Sequence, residues 1–181
     1  MEYLHVHVDG RQFERAYMVY VVRVALESGA TYFYVGQTGD RNYRTARPAF
    51  RRLAGHFDEQ GSSTQNQIYR ALAEREFGSA IGPRSKFSVD LRDSMARLLT
   101  SSKIDMFAFR IAAFEPTASD VDHKELVKRV ERIEQATLSE LTARYGREMI
   151  LNRKFQVGQI DGDSLKLAEG ILATVGSELG K

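Results

Sequence analysis

The chain has 181 residues, a formal net charge of +2 and no cysteine. Its length and its 43 % of hydrophobic residues suit one domain whose core needs no covalent cross-link. The lack of cysteine excludes a disulfide framework, a thiolate metal site and a cysteine nucleophile, so any metal must be held by oxygen or imidazole ligands.

The N-terminus carries charged and polar residues where a secretory signal needs an apolar run. No uninterrupted apolar stretch approaches the roughly 20 residues of a membrane span. We therefore expect a soluble, cytoplasmic protein with no membrane partner.

The first half of the chain predicts a hairpin followed by helices. Tyr3–Val8 alternates polar and apolar residues and predicts a short strand or arm. Tyr17–Val24 and Thr31–Val35 are rich in β-branched and aromatic residues, and the glycine between them favours a β-hairpin. Pro48 stands where a helix can begin, before AFRRLAGHF, and a second helix is predicted over Gln65–Phe77.

The middle of the chain predicts an insertion and a return to strand structure. Residues 78–103 begin with a glycine- and proline-containing loop and hold a helix near Leu91–Leu99, which Asp90 is placed to cap. Ile104–Phe114 has strand composition and ends before a proline.

The last third predicts two amphipathic helices. Apolar residues recur every three or four positions over Asp122–Tyr145, the longest predicted helix, and a return segment follows at Met149–Phe155. Asp163–Leu179 has one apolar face, which we expect to pack on the domain rather than to form a dimer. The order of elements predicts an α/β fold in one domain, with a small central antiparallel or mixed sheet of about three core strands flanked by helices.

Charge is unevenly distributed along the chain. Five arginines and no acidic residue lie between residues 41 and 55, whereas acidic residues collect around 115–140. A basic surface for phosphate and a solvated helix face explain this pattern equally well. The arginines are Arg41, Arg44, Arg47, Arg51 and Arg52.

A set of spaced motifs points to a nuclease. Met18-Val19-Tyr20 lies on the first predicted strand of the hairpin and Tyr34-Val35-Gly36 on the second. Arg52 and His56 follow at a spacing of four, which puts both side chains on one helix face. In this order the motifs resemble those of the GIY-YIG nucleases, although Met18 stands where that family has its first glycine.

Three later pieces extend the resemblance over about residues 17–155. Asn66–Leu72 is similar to the start of the second helix of the family. Glu134, on the long predicted helix, matches the metal-binding glutamate, and Asn152 in Leu151-Asn152 matches the asparagine that follows it. The resemblance implies a metal-dependent endonuclease that hydrolyses DNA and leaves 5′-phosphate and 3′-hydroxyl ends.

The resemblance also implies roles for the matched residues. Tyr20, or His56 acting through it, would deprotonate the attacking water, and Arg52 would hold the scissile phosphate. A phenol has a pKa of about 10, so Tyr20 acts as a base near neutrality only if nearby cations depress that pKa. Tyr34 would orient water or phosphate.

The same resemblance assigns the metal and the geometry around it. Glu134 would bind one Mg²⁺ or Mn²⁺ ion, because a hard cation prefers oxygen ligands. Asn152 would fix the geometry by hydrogen bonds. Candidate nucleic-acid contacts are Gln37, Arg44, Arg47 and Arg51.

Other interpretations remain open from the sequence. Strand tyrosines are often half-buried packing residues, His56 can pack or cap, and Glu134 can pair with an arginine in a structural salt bridge. Double-stranded DNA is the expected partner of a restriction-type or defence nuclease acting as a monomer or homodimer. The alternatives are a non-catalytic nucleic-acid-binding module and an interaction protein that uses its terminal helix.

Overall fold

The computed structural model of the chain describes residues 7–59, 65–78, 86–153 and 160–180. These residues form the predicted α/β fold, in which a three-stranded antiparallel sheet of order β2-β1-β3 is flanked by five α-helices. The strands are β1 (Ala16–Ala25), β2 (Thr31–Gln37) and β3 (Lys103–Ala113). The helices are α1 (Ala49–Phe57), α2 (Gln67–Phe77), α3 (Val89–Thr100), α4 (Asp120–Tyr145) and α5 (Gly162–Leu179).

The predicted hairpin is confirmed and sets the register of the sheet. The turn between β1 and β2 is closed by the amide of Leu26, which donates to the carbonyl of Ala30 at 2.8 Å. Gly29 has φ of 90° there, a conformation that side chains disfavour. This turn pairs Tyr20 directly with Gly36 across the two strands.

The central strand β1 is buried on both faces. Val19 and Val21 face α4 and α5, whereas Tyr20 and Val22 face α2 and α3. Successive side chains of a strand point to opposite sides, so layers of helices on both sides give the nearly continuous apolar sequence of β1. The sheet therefore lies between two cores.

Helix α3 is part of one of these cores. Its buried Met95 packs in the cluster that contains Tyr20, so the described part of the predicted insertion belongs to the core of the domain. The prediction that Asp90 caps this helix is wrong. Ser88 is the N-cap, and its hydroxyl accepts from the amide of Leu91 at 3.2 Å, while Asp90 lies in the first turn.

The two C-terminal helices pack together on the opposite face. Helix α4 begins after its N-cap Ser119 and ends at Gly146, which has φ of 87°. The apolar face of α5 is buried against α4 and the sheet through Ile171 and Leu172, as predicted for packing on the domain.

Parts of three predictions fall on residues 1–6, 79–85 and 154–159, which lie outside the described residues. They are most of the N-terminal strand or arm, the loop that opens the predicted insertion, and the end of the return segment. Within the described ranges, no helix combines the length and the apolar character needed to cross a bilayer.

Candidate active site

The side chain of Tyr20 lies directly against the backbone of Gly36. A Cβ atom added to Gly36 would stand 2.3 Å from the hydroxyl oxygen of Tyr20, far inside van der Waals contact. Glycine within a strand often marks such a close approach. Gly36 therefore leaves room for the phenol ring between β2 and the helices that cover it.

Tyr20 is joined to His56 by a short hydrogen bond whose direction can be assigned. The two atoms, Tyr20 Oη and His56 Nε2, are 2.7 Å apart. The other ring nitrogen, Nδ1, lies 3.0 Å from the carbonyl oxygen of Gln65, which can only accept. In neutral His56 the proton is therefore on Nδ1, and Nε2 accepts from the hydroxyl of Tyr20.

The imidazole of His56 is neutral at physiological pH. Burial, reinforced by the nearby charge of Arg52, lowers the pKa of His56 to about 3. The side chain is 1 % exposed. His56 thus presents a free lone pair to the Tyr20 hydroxyl.

Arg52, one turn before His56 on α1, also forms a hydrogen bond with Tyr20. Its Nε donates to Tyr20 Oη at 3.3 Å, so this oxygen accepts from a guanidinium and donates to an imidazole. Burial raises the pKa of Tyr20 to about 12 even though Arg52 opposes this shift. The side chains of this site alone therefore do not depress the pKa of the phenol, and the expectation that a bound cation acts with them to lower it stays a prediction.

Tyr34 lies beside this chain of hydrogen bonds. Its hydroxyl donates to Oε1 of Gln67 on α2, and its ring lies against His56 with centroids 4.6 Å apart. Burial, reinforced by Tyr20, holds the pKa of Tyr34 well above its ordinary value. Tyr34 thus remains a neutral phenol that walls the imidazole.

Glu134 on α4 adds a carboxylate to the same site. It is half-buried, and its charge raises the pKa of both Tyr20 and Tyr34. Burial and the adjacent Glu131 raise the pKa of Glu134 to about 7, although Arg52 and Arg41 oppose the shift. Among the described residues, none forms a hydrogen bond or ion pair with this carboxylate.

A half-buried carboxylate without a protein partner fits a hard divalent cation. No cluster of three or more potential His, Asp or Glu ligands occurs in the described parts of the chain. Glu134 would therefore be one protein ligand to an ion that keeps several waters, which is the usual behaviour of Mg²⁺ in proteins. With the described residues, the structural salt bridge that the sequence left open is not formed: Arg41 pairs with Glu131, and Arg52 donates to Tyr20.

Asn152 is bound to the backbone of β2 rather than to the side chains of the site. Its Oδ1 accepts from the amide of Val35 at 2.9 Å, and its Nδ2 donates to the carbonyl of Val35 at 2.7 Å. The amide of Leu151 also donates to the carbonyl of Phe33. Asn152 thus fixes the edge of β2 between Tyr34 and Gly36.

The candidate nucleic-acid contacts differ in whether their side chains already pair with other residues. Arg44 lies 3.7 Å from Asp120, and Arg47 donates to Asp40 at 2.8 Å. Arg51 is exposed and forms no ion pair with any described residue. Half-buried Gln37, which follows Gly36, has an Oε1 that accepts no hydrogen bond from the described residues.

The charge segregation seen in the sequence is therefore partly neutralised in space. The loop between β2 and α1 packs on the acidic helix α4, where Arg41 pairs with Glu131. His123 of α4 donates from Nε2 to the carbonyl of Asp40 at 2.9 Å and accepts from the hydroxyl of Tyr17 at 2.6 Å. The basic loop is held in place by these contacts, whereas Arg51, on α1, forms no ion pair with any described residue.

Some positioning residues gave no signal in the sequence. Buried Thr38 accepts from the amide of Met18 at 2.9 Å and donates to the carbonyl of Ala16, which ties the ends of β1 and β2 together below Tyr20. Tyr17 and His123 are too far apart in the chain for spacing to relate them. Gln65 acts through its carbonyl group, which any residue type has.

Comparisons of the chain with known protein families, curated proteins and solved structures found no match.

Proposed function

We propose that this protein is a metal-dependent endonuclease of GIY-YIG type that hydrolyses phosphodiester bonds in DNA. The observation that supports the proposal most strongly is the buried chain of hydrogen bonds from Arg52 to Tyr20 to His56, with an unpaired carboxylate at Glu134 beside it. Its motif order also resembles that of the GIY-YIG nucleases. A restriction-type or defence role and a cytoplasmic location are part of the same proposal.

Tyr20 and His56 form a relay for one proton. As water attacks phosphorus, Tyr20 Oη takes a proton from the water and passes its own proton to Nε2 of His56. The resulting imidazolium keeps its Nδ1 hydrogen bond to the carbonyl of Gln65. The bond from phosphorus to the 3′ oxygen breaks, and the leaving oxygen is protonated by solvent.

Arg52 links substrate binding to the basicity of this relay. In the free site its positive charge opposes a second positive charge on His56. A phosphodiester bound at Arg52 brings a negative charge that offsets this repulsion, so the bound substrate raises the affinity of His56 for the proton. Arg52 also stabilises charge on the phosphoryl group in the transition state.

Glu134 is the residue that would hold Mg²⁺ or Mn²⁺. Such an ion, when bound, supplies charge stabilisation to the phosphoryl group and to the leaving oxygen. Tyr34 packs its ring against His56 and covers one side of the imidazole.

Cleavage of supercoiled plasmid tests the proposal. Wild type in Mg²⁺ or Mn²⁺ should nick or linearise the plasmid, and Glu134→Gln should lose this activity, whereas Glu169→Gln, an exposed glutamate on α5, should keep it. End sequencing should give 5′-phosphate and 3′-hydroxyl termini. Salt-dependent binding without turnover in either metal would instead favour the non-catalytic binding module, and equal cleavage by Glu134→Gln would remove the metal assignment.

A further inference from the structure

A polar cavity lies between α2 and the segment that follows α4. It has a volume of about 320 Å³, near the lower end of the range for small-molecule sites, and Asn152 lies in its lining. Three arginines line it, Arg75, Arg147 and Arg153, together with one carboxylate, Glu74. The motif set of the proposed active site includes none of these four residues.

Two of the arginines are held close together by a neutral acceptor. The carbonyl oxygen of Ile150 accepts from Nη2 of Arg75 at 3.1 Å and from Nη1 of Arg147 at 2.8 Å. These two nitrogen atoms therefore lie within about 6 Å of each other, where like charges repel. Neither guanidinium forms an ion pair with a carboxylate among the described residues, so a carbonyl group orders the two charges without neutralising them.

The third arginine adds to this positive potential. Arg153 pairs with Glu74 at 3.0 Å, and both side chains are substantially exposed, so the pair is weak and easily exchanged. Burial and then the charge of Arg153 lower the pKa of Arg70 on α2. The arrangement is one in which an anion would relieve repulsion between neighbouring cations.

We propose that this cavity binds a phosphate group through Arg75, Arg147 and Arg153. Guanidinium groups match phosphate oxygens in geometry and bind them with two parallel hydrogen bonds. Among the described residues, Arg75 donates only through Nη2, and Arg147 donates through Nη1 and Nη2 but not through Nε, so donors remain for a ligand.

The position of the cavity favours a phosphate of a nucleic-acid strand. Gln67, which contacts Tyr34, and Arg75 lie eight residues apart on α2. That separation is about 12 Å along a helix, roughly three to four nucleotides of a stacked strand. This choice of source rests on the proposed nuclease function, whereas binding of a phosphate group itself does not.

Binding measurements in EDTA, where no cleavage is needed, test two claims: that the cavity binds a phosphate group, and that this phosphate belongs to a nucleic-acid strand. Inorganic phosphate is titrated into the full chain by calorimetry, and a short labelled DNA duplex by fluorescence anisotropy over a series of salt concentrations. Wild type should bind phosphate saturably, and Arg75→Gln should weaken that binding about tenfold. Arg129→Gln, which removes an exposed charge on α4, should leave it unchanged.

Glu74→Gln keeps the test decisive if Arg75→Gln disturbs the fold. It removes the carboxylate that competes for Arg153, so phosphate should bind several-fold more tightly. For the duplex, Arg75→Gln should reduce the slope of log affinity against log salt by about one, the loss of one phosphate contact.

The outcomes distinguish binding of a phosphate group from binding of a nucleic-acid strand. Phosphate binding with unaltered duplex binding in both variants would assign the cavity to a free phosphate or mononucleotide and contradict the strand as its source. Absence of saturable phosphate binding, or Glu74→Gln behaving like Arg129→Gln, would overturn the cavity as a phosphate site. A chain that cuts no DNA can still pass the phosphate titration, so failure of the nuclease proposal is seen separately.

Discussion

The hydroxyl of Tyr20 donates to Nε2 of His56 at 2.7 Å, because the opposite ring nitrogen donates to the carbonyl of Gln65. A main-chain group thus determines which imidazole nitrogen can receive a proton. The same oxygen of Tyr20 accepts from Arg52, so one atom stands between a permanent cation and a base.

Gly36→Ala should displace the phenol ring of Tyr20. The new Cβ would lie 2.3 Å from Tyr20 Oη, so β2 or the ring must move. We expect a loss of about 1–3 kcal/mol in the free energy of unfolding and a lower cleavage rate. Gly170→Ala is the control, since nothing lies within 4 Å of its added Cβ in α5. Equal urea midpoints for Gly36→Ala and wild type would show that the close contact is not required.

His56 should make the folded protein sensitive to acid. Its pKa is lowered to about 3 in the fold and is about 6.5 when unfolded, so below pH 6.5 the unfolded chain binds a proton that the folded chain does not. The free energy of unfolding therefore falls progressively as pH falls from about 6.5 towards 3. Glutamine does not titrate, so His56→Gln lacks this pH dependence. The difference in unfolding free energy between wild type and the variant should therefore shrink by roughly 2–3 kcal/mol between pH 7 and 4.5. Urea unfolding at both pH values measures this difference, and a constant gap would contradict a buried neutral imidazole.

Glu134 should destabilise the metal-free protein at neutral pH. Its pKa is raised to about 7, so the folded state binds the extra proton, and the penalty grows from about pH 4.5 to 7 and is complete above that range. In EDTA at pH 8, Glu134→Gln should be more stable than wild type by roughly 1–3 kcal/mol. Below pH 4.5 the two proteins should be equally stable.

Added Mg²⁺ should reverse this order at pH 8. Binding to the folded state raises the thermal midpoint of wild type, and Glu134→Gln should not respond. Glu169→Gln should respond like wild type. A wild type that Mg²⁺ does not stabilise, together with a variant no more stable in EDTA, would argue against Glu134 as an uncompensated metal ligand.

Asn152→Ala should weaken the edge of β2 while leaving the charges of the site unchanged. It removes two hydrogen bonds to Val35 from a side chain that is 8 % exposed, so the expected cost is about 1–3 kcal/mol. Exposed Asn42 is the matched control, and its alanine variant should stay within about 0.5 kcal/mol of wild type. If Asn152→Ala unfolds like Asn42→Ala yet abolishes cleavage, the residue acts on the substrate and not on the strand.

Local patterns were enough to predict most of the elements. The β-branched sequence of β1 and the apolar spacing of α4 depend on neighbours within a few residues, and both elements were found with small shifts at their ends. The start of α3 was misplaced because Ser88 and Asp90 are both good caps, and only the backbone conformation selects between them. The position of β1 between β2 and β3 depends on contacts between distant segments, which periodicity does not contain.

In the candidate site too, local features could be predicted and contacts between distant segments could not. The spacing of Arg52 and His56 on one helix face is a local property, and both side chains do contact Tyr20. The pairing of the basic loop with α4, through Arg41 and Glu131, joins residues ninety positions apart and could not be predicted from either segment. The role of the Gln65 carbonyl could not be predicted for another reason, since every residue type has a main-chain acceptor.

Single-turnover cleavage by Tyr20→Phe tests the proposed relay most directly. The substitution keeps the ring against Gly36 but removes the one oxygen that connects Arg52 to His56. With Mg²⁺ present, we expect the cleavage rate to fall by about 10²–10⁴-fold, while DNA affinity in EDTA stays within about threefold of wild type. Cleavage by Tyr20→Phe at the wild-type rate would contradict proton transfer through this hydroxyl.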